Sequence, residues 1–87
     1  MKIDEMYEQS KAVITRIENN AILEFRLEQF ERDQQQGVLS IVVSYVVDRD
    51  LQLSELNPSQ IRTERIYKEL RFSNADDELL GLYMFEV

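Results

Sequence analysis

The chain has 87 residues, with 17 acidic against 10 basic side chains, a formal net charge of −7, no Cys, no His, no Trp, two Gly and one Pro. A length of this order fits one domain, residues 1–87, built around one core. Without His or Cys there is no ordinary zinc site, no haem ligation through either residue, no thiolate nucleophile and no disulfide.

Any catalysis would rest on carboxylates, Lys, Tyr or Ser. Phosphate-cradling loops are excluded as well, because they need closely spaced glycines and Gly37 and Gly81 stand 44 positions apart. The first residues, Met1-Lys2-Ile3-Asp4-Glu5, carry acid where a secretory signal needs an apolar run, and no apolar stretch approaches membrane-spanning length. The expectation is a cytoplasmic protein with no membrane partner. Asn57 heads an apparent glycosylation triplet, but Pro58 spoils it. The charge divides as −2 over residues 1–30, −3 over 31–58 and −2 over 59–87. So spread a negative surface repels bulk nucleic acid and favours solubility or a basic partner. A content of 44% hydrophobic and 31% charged residues, with hardly any Pro or Gly, belongs to a folded domain.

Residues 4–19 are predicted to form an amphipathic helix. Ile3, Tyr7, Ile14 and Ile17, with Met6 and Val13 alongside, recur at helical spacing, while Glu5, Glu8, Lys11 and Arg16 take other faces. Asp4 is the expected N-cap and Asn19-Asn20 the stop. From Ile22 to Phe30 the period changes to two, with Leu23, Phe25 and Leu27 on one face and Glu24, Arg26 and Glu28 on the other. Gln34-Gln35-Gln36-Gly37 offers a turn in which Gly37 takes a positive φ.

Val38 to Val47 is the strongest strand, rich in β-branched residues. Leu39, Ile41, Val43, Tyr45 and Val47 make one wholly apolar face. Val38, Ser40, Val42, Ser44 and Val46 make a second face of small, mostly apolar residues, which suits a central strand. Glu31-Arg32-Asp33 and Asp48-Arg49-Asp50 flank it as charged gatekeepers in turns. Asp48-Arg49-Asp50 is not a calcium loop: Gln52 fills the third ligand position, Leu53 replaces the sharp-turn Gly, and Ser59 stands where the bidentate acid is needed.

Residues 51–72 admit two readings. Asn57-Pro58-Ser59-Gln60 is a good helix opening, and a helix running to Leu70 would bury Thr63, Ile66, Tyr67 and Leu70. The favoured reading is instead a strand from Arg65 to Phe72 with Ile66, Leu70 and Phe72 inward. Ser73-Asn74-Ala75-Asp76-Asp77 is then the loop of a second hairpin leading into Leu80 to Val87. The fold class is therefore α+β: an N-terminal helix packed on a four-stranded, mainly antiparallel sheet (α-β-β-β-β), the competing reading making residues 58–70 a second helix.

The candidate constellations are mostly explained by solvated surface. Asp76-Asp77-Glu78 is the densest acidic run, but three consecutive residues cannot converge on one cation, and no Glu-x-Lys of a magnesium nuclease occurs. No catalytic residue, metal or cofactor is expected, and the chain is read as no enzyme. Arg62, Arg65, Lys68 and Arg71 recur every three residues beside Tyr67 and Phe72, a basic and aromatic row of the kind that grips single-stranded nucleic acid. On a strand, however, that spacing alternates between faces.

One helix of about sixteen residues covers only one side of a four-stranded sheet. Val42 and Val46, with Ser40 and Ser44, are thus expected to form a partner-binding face rimmed by Glu24 and Glu28, docking a protein partner or a second copy in a homodimer. The function expected is a small acidic non-enzymatic protein-interaction module: an adaptor, an immunity-type inhibitor or an assembly factor. The alternative is a nucleic-acid-mimicking inhibitor of a basic nucleic-acid-binding enzyme. A third reading is a nucleic-acid binder acting through Arg62, Arg65, Lys68 and Arg71.

Overall fold

The chain runs α1 (Ile3–Ile17), β1 (Ile22–Asp33), β2 (Val38–Val47), β3 (Ile66–Ser73) and β4 (Leu79–Met84) in a computed structural model that describes residues 1–47 and 65–85. The strands form one antiparallel sheet in the order β1-β2-β3-β4, not closed into a barrel. This is the expected α-β-β-β-β arrangement, and Ile66–Ser73 is a strand, not the end of a helix. Asp48-Arg49-Asp50, the Asn57-Pro58 helix opening and Arg62 lie outside the described residues.

The N-cap of helix α1 falls two residues earlier than predicted, at Lys2. Asp4 therefore sits inside the first turn, where with Glu5 it complements the positive end of the helix dipole. The Glu5 carboxylate accepts the Lys2 backbone N–H at 3.4 Å. The buried line of α1 is Met6, Ser10 and Ile14, each four residues from the next. Ile3 and Ile17, expected in that stripe, are exposed. The contact is a narrow one, a single line of side chains set against β1 and β2. Ser10, fully buried, is the small residue that lets the helix axis come close to the sheet. Tyr7 widens the contact by meeting Phe25 edge to face at 5.2 Å between ring centroids.

The core joins Met6 and Ile14 to Leu39, Ile41, Val43 and Tyr45 of β2 and to Leu70 and Phe72 of β3. These β2 residues are the wholly apolar face read from alternation, so the strand is central as expected. Lys68, on the same face of β3, is only half-buried. At about 1.5–3 kcal/mol for each fully buried large aliphatic or aromatic side chain, this cluster supplies most of the driving force for closing helix onto sheet.

Strand β1 departs from simple alternation. Its register against β2 slips once between Leu23 and Arg26 and again between Leu27 and Gln29. At the first slip Glu24 has φ +49°, a left-handed conformation that costs a non-glycine residue about 1–2 kcal/mol. The bulge turns Leu23 to the side of Val46, away from α1, so Leu23 is exposed instead of packing beside Phe25 and Leu27. Strand β1 also continues through Glu31-Arg32-Asp33, which pair with Ser40, Leu39 and Val38. That charged triplet is therefore strand and not turn. Asp33 ends it by accepting the Gln35 and Gln36 N–H groups, both at 3.1 Å, and Gly37 closes the hairpin with φ +67°.

Candidate interaction surfaces

The second face of the sheet, opposite α1, carries the residues singled out from the sequence. Val42 is 3% and Val46 6% exposed, Ser44 is fully buried and Ser40 half-buried. The expected open apolar patch at these positions is thus covered within a single chain. The cause lies in the neighbouring strands. Val42 sits between Gln29 of β1 and Glu69 of β3, and Ser44 between Arg26 and Tyr67, so the small β2 residues form the floor of a trough walled by long side chains.

Ser44 is the centre of a polar cluster on that floor. Its hydroxyl donates to Glu28 Oε1 at 2.5 Å and accepts from Arg65 Nη1 at 2.9 Å. Arg65 Nη1 also donates to the backbone carbonyl of Glu24 at 2.9 Å, and Arg65 Nη2 meets the Glu24 carboxylate at 3.3 Å. The guanidinium, largely buried, fastens the β1 bulge to the sheet, which explains how a strained Glu24 is held. Glu24 and Glu28 are exposed as read from alternation, yet both are engaged by this cluster and make no free acidic row.

The basic row separates as a strand requires. Arg65 and Arg71 lie on the second face and Lys68 on the core face, where its Nζ meets the Met84 sulfur at 3.0 Å. Arg71 Nε donates to Glu69 at 2.6 Å, and its guanidinium stacks over the Tyr83 ring at 4.5 Å from the centroid. Among the described positions the row is therefore split and internally paired. Asp76 accepts the Glu78 N–H at 3.2 Å as a turn residue, and no cluster of metal-holding side chains occurs among the described residues.

At the far end of the core face, Tyr45 is fully buried and its hydroxyl donates to Glu18 Oε1 at 2.8 Å. Burial pushes the Tyr45 phenol well above its ordinary range, with the hydrogen bond to Glu18 and the negative charge there acting in the same direction. This bond ties the end of α1 to β2. It is a structural clasp, because Tyr45 offers no exposed atom.

The described element with the most exposed large apolar side chains is one that strand periodicity alone did not single out. Strand β4, Leu-Leu-Gly-Leu-Tyr-Met, has no charged residue and forms an edge of the sheet. Leu80 is 56%, Tyr83 47% and Met84 73% exposed, and Leu79 is exposed beside them. The Phe85 N–H donates to the Tyr67 carbonyl at 3.3 Å, so Phe85, Tyr83 and Gly81 turn their backbone groups toward β3. Leu82 and Met84, lying between them, turn their N–H and C=O groups to the outer edge, with which no strand pairs among the described residues. Gly81 has a packing reason: a Cβ there would stand 2.6 Å from the Tyr83 hydroxyl, whose ring lies back along the strand. The available signal was an uncharged run following Asp76-Asp77-Glu78 in the last strand of a meander, which leaves that strand at an edge.

The chain matches no family model, no curated protein and no solved structure. What the surface can do is therefore read from its residues. Among the described residues no helix is long and apolar enough to cross a membrane.

Proposed function

We propose that this chain is a small non-enzymatic protein-interaction module that engages an extended polypeptide segment along the outer edge of β4. The observation that carries the reading is the contrast between the two sheet edges. Strand β1 is guarded by two bulges and by Glu24, Arg26, Glu28, Glu31, Arg32 and Asp33, the devices by which proteins prevent strand addition. Strand β4 has no charged residue and a single irregularity, at Leu80, and leaves Leu80, Tyr83 and Met84 in solvent. An unpaired, uncharged, apolar edge is a template for an added strand, with main-chain hydrogen bonds supplying affinity and alternate side chains supplying selectivity. The trough over Val42 and Ser44, buried and hydrogen-bonded internally, supports docking less well than this edge.

The test compares the wild-type chain with a Leu80→Lys, Met84→Lys variant as bait in extract of the native host. Partners kept by the wild type, lost by the variant and retained at high salt support the reading, because apolar strand addition is not screened. Amide exchange then has to slow at Leu82 and Met84 in the reconstituted complex. The same partners on both baits, or protection confined to β1 and α1, refute it.

A further inference from the structure

We infer that the strand accepted by the β4 edge is β4 of a second copy, giving a two-fold symmetric pair in which the two four-stranded sheets run on as one. The inference rests on the reading of this edge as an interaction surface and adds the identity of its occupant.

The register follows from the backbone. The pairing of β3 with β4 is regular from Met84 to Gly81 and slips beyond it, where Leu79 instead of Leu80 faces Phe72. The regular stretch of β4 with its Phe85 extension is thus residues 81–85, centred on Tyr83. Antiparallel pairing about Tyr83 sets Tyr83 against its own copy, Leu82 against Met84 and Gly81 against Phe85. Directly opposed residues must point to the same side of a sheet, and these do. The outward N–H and C=O groups of Leu82 meet those of Met84 in the other copy, and the symmetric pair repeats the exchange, so all outward groups of the regular stretch are satisfied. No opposed pair carries a charge, and Gly81, already covered by the Tyr83 ring of its own chain, presents no side chain against Phe85 of the other copy.

Charge selects a second copy over a basic partner. A cationic segment would be met by carboxylates along the strand, whereas Leu79 to Phe85 carries no charge of either sign. Two chains of −7 repel, and they meet here on a stretch that adds no like-charge contact. The pair should therefore tighten as salt screens the remaining repulsion, the opposite of binding through complementary charge.

The cysteine-free sequence makes the test direct. Light scattering coupled to size exclusion should give a mass near twice the 10.4 kDa of the chain, rising toward that value with salt, and the mass should fall to one chain for Met84→Pro and for Met84→Lys. Proline at position 84 removes an outward N–H that β3 does not use, as edge strands tolerate. The Lys variant covers the case in which proline disturbs folding. Tyr83→Cys should oxidise to a covalent dimer, since facing Cα atoms in such a non-hydrogen-bonded pair lie about 4.5 Å apart. Leu80→Cys should not, its two copies being separated by about 20 Å along the strands. A wild-type monomer across the salt series, a dimer unaffected at Met84, or crosslinking through Leu80→Cys as readily as through Tyr83→Cys overturns the inference. A monomer that still loses its extract partners on the Leu80→Lys, Met84→Lys change overturns only the second copy and leaves the interaction reading standing.

Discussion

Replacing Tyr45 by Phe deletes one hydroxyl and leaves the ring in the core, so its effect isolates the clasp between α1 and β2. Hydrogen bonds to charged groups contribute about 1.5–3 kcal/mol. Glu18 is only half-buried and regains water when its partner is lost, which puts the expected cost at the low end, about 1.5 kcal/mol. The pH dependence supplies the sharper test. The folded-state pKa of Tyr45 lies above its unfolded value of about 10, so the stabilisation is fully present below pH 10 and is lost as pH rises through the folded value. Above pH 10 the wild type should lose stability relative to Tyr45→Phe by roughly 1.4 kcal/mol per pH unit, the cost of withholding one proton. Urea denaturation of both proteins at neutral pH and through the alkaline range measures the difference, and ultraviolet titration follows the four tyrosines directly. One of the four should resist ionisation until the chain unfolds. Equal stability of the two proteins at pH 7, or a wild type whose four tyrosines all titrate together near pH 10 while folded, would refute the buried clasp.

Three further substitutions probe the packing. Ser10 is fully buried with no hydrogen-bond partner for its hydroxyl, so Ser10→Ala should be neutral or stabilising by up to about 1 kcal/mol in urea denaturation, whereas most buried substitutions destabilise. Ser44→Ala removes the hydroxyl shared by Glu28 and Arg65 and should cost about 1–2 kcal/mol, with a Glu28→Gln background reducing that cost in a double-mutant cycle. Gly37→Ala meets no neighbouring atom within 4 Å, so its whole penalty should be the left-handed backbone, about 1–2 kcal/mol, and Gly37→Asn should recover part of it in the same thermal scan.

The elements that were legible in the sequence are those whose periodicity no local event interrupts. Strand β2 alternates cleanly over ten residues, and its buried face of Leu39, Ile41, Val43 and Tyr45 is the one read from alternation. Strand β3 was readable against a competing helix because Ile66, Leu70 and Phe72 fit a period of two once Lys68 is allowed a half-buried place. Strand β1 was legible as a strand, with Phe25 and Leu27 packed toward the core as read, but the bulge near its start was not. A glutamate at φ +49° is marked by nothing in the composition, and a single inserted residue reverses which side Leu23 occupies. The extent of the α1 stripe was overread: Ile3 and Ile17 have the right spacing, but the buried line runs only from Met6 through Ser10 to Ile14.

The second face shows why an apolar pattern on one strand does not by itself define a surface. Val42 and Val46 belong to the central part of the sheet, where flanking strands supply Glu69, Tyr67 and the Arg65 guanidinium on the same side, and long stems over small residues close the trough. The same reasoning run outward reaches the opposite result at β4. Among the described residues a position there has a neighbouring strand on one side only, so Tyr83 can lie back over Gly81 and beneath Arg71 but Leu80 and Met84 have no flanking strand to cover them. Exposure in this fold is thus set by position in the strand order more than by hydropathy, and evenly scattered charge does not offset it. Strand β1, the other edge, meets the same one-sidedness with charges and two bulges. That one edge carries charges and two bulges while the other carries no charge and one irregularity ties the interaction reading to β4, and makes Met84 and Leu80, not Val42 and Val46, the positions where a single added charge should matter most.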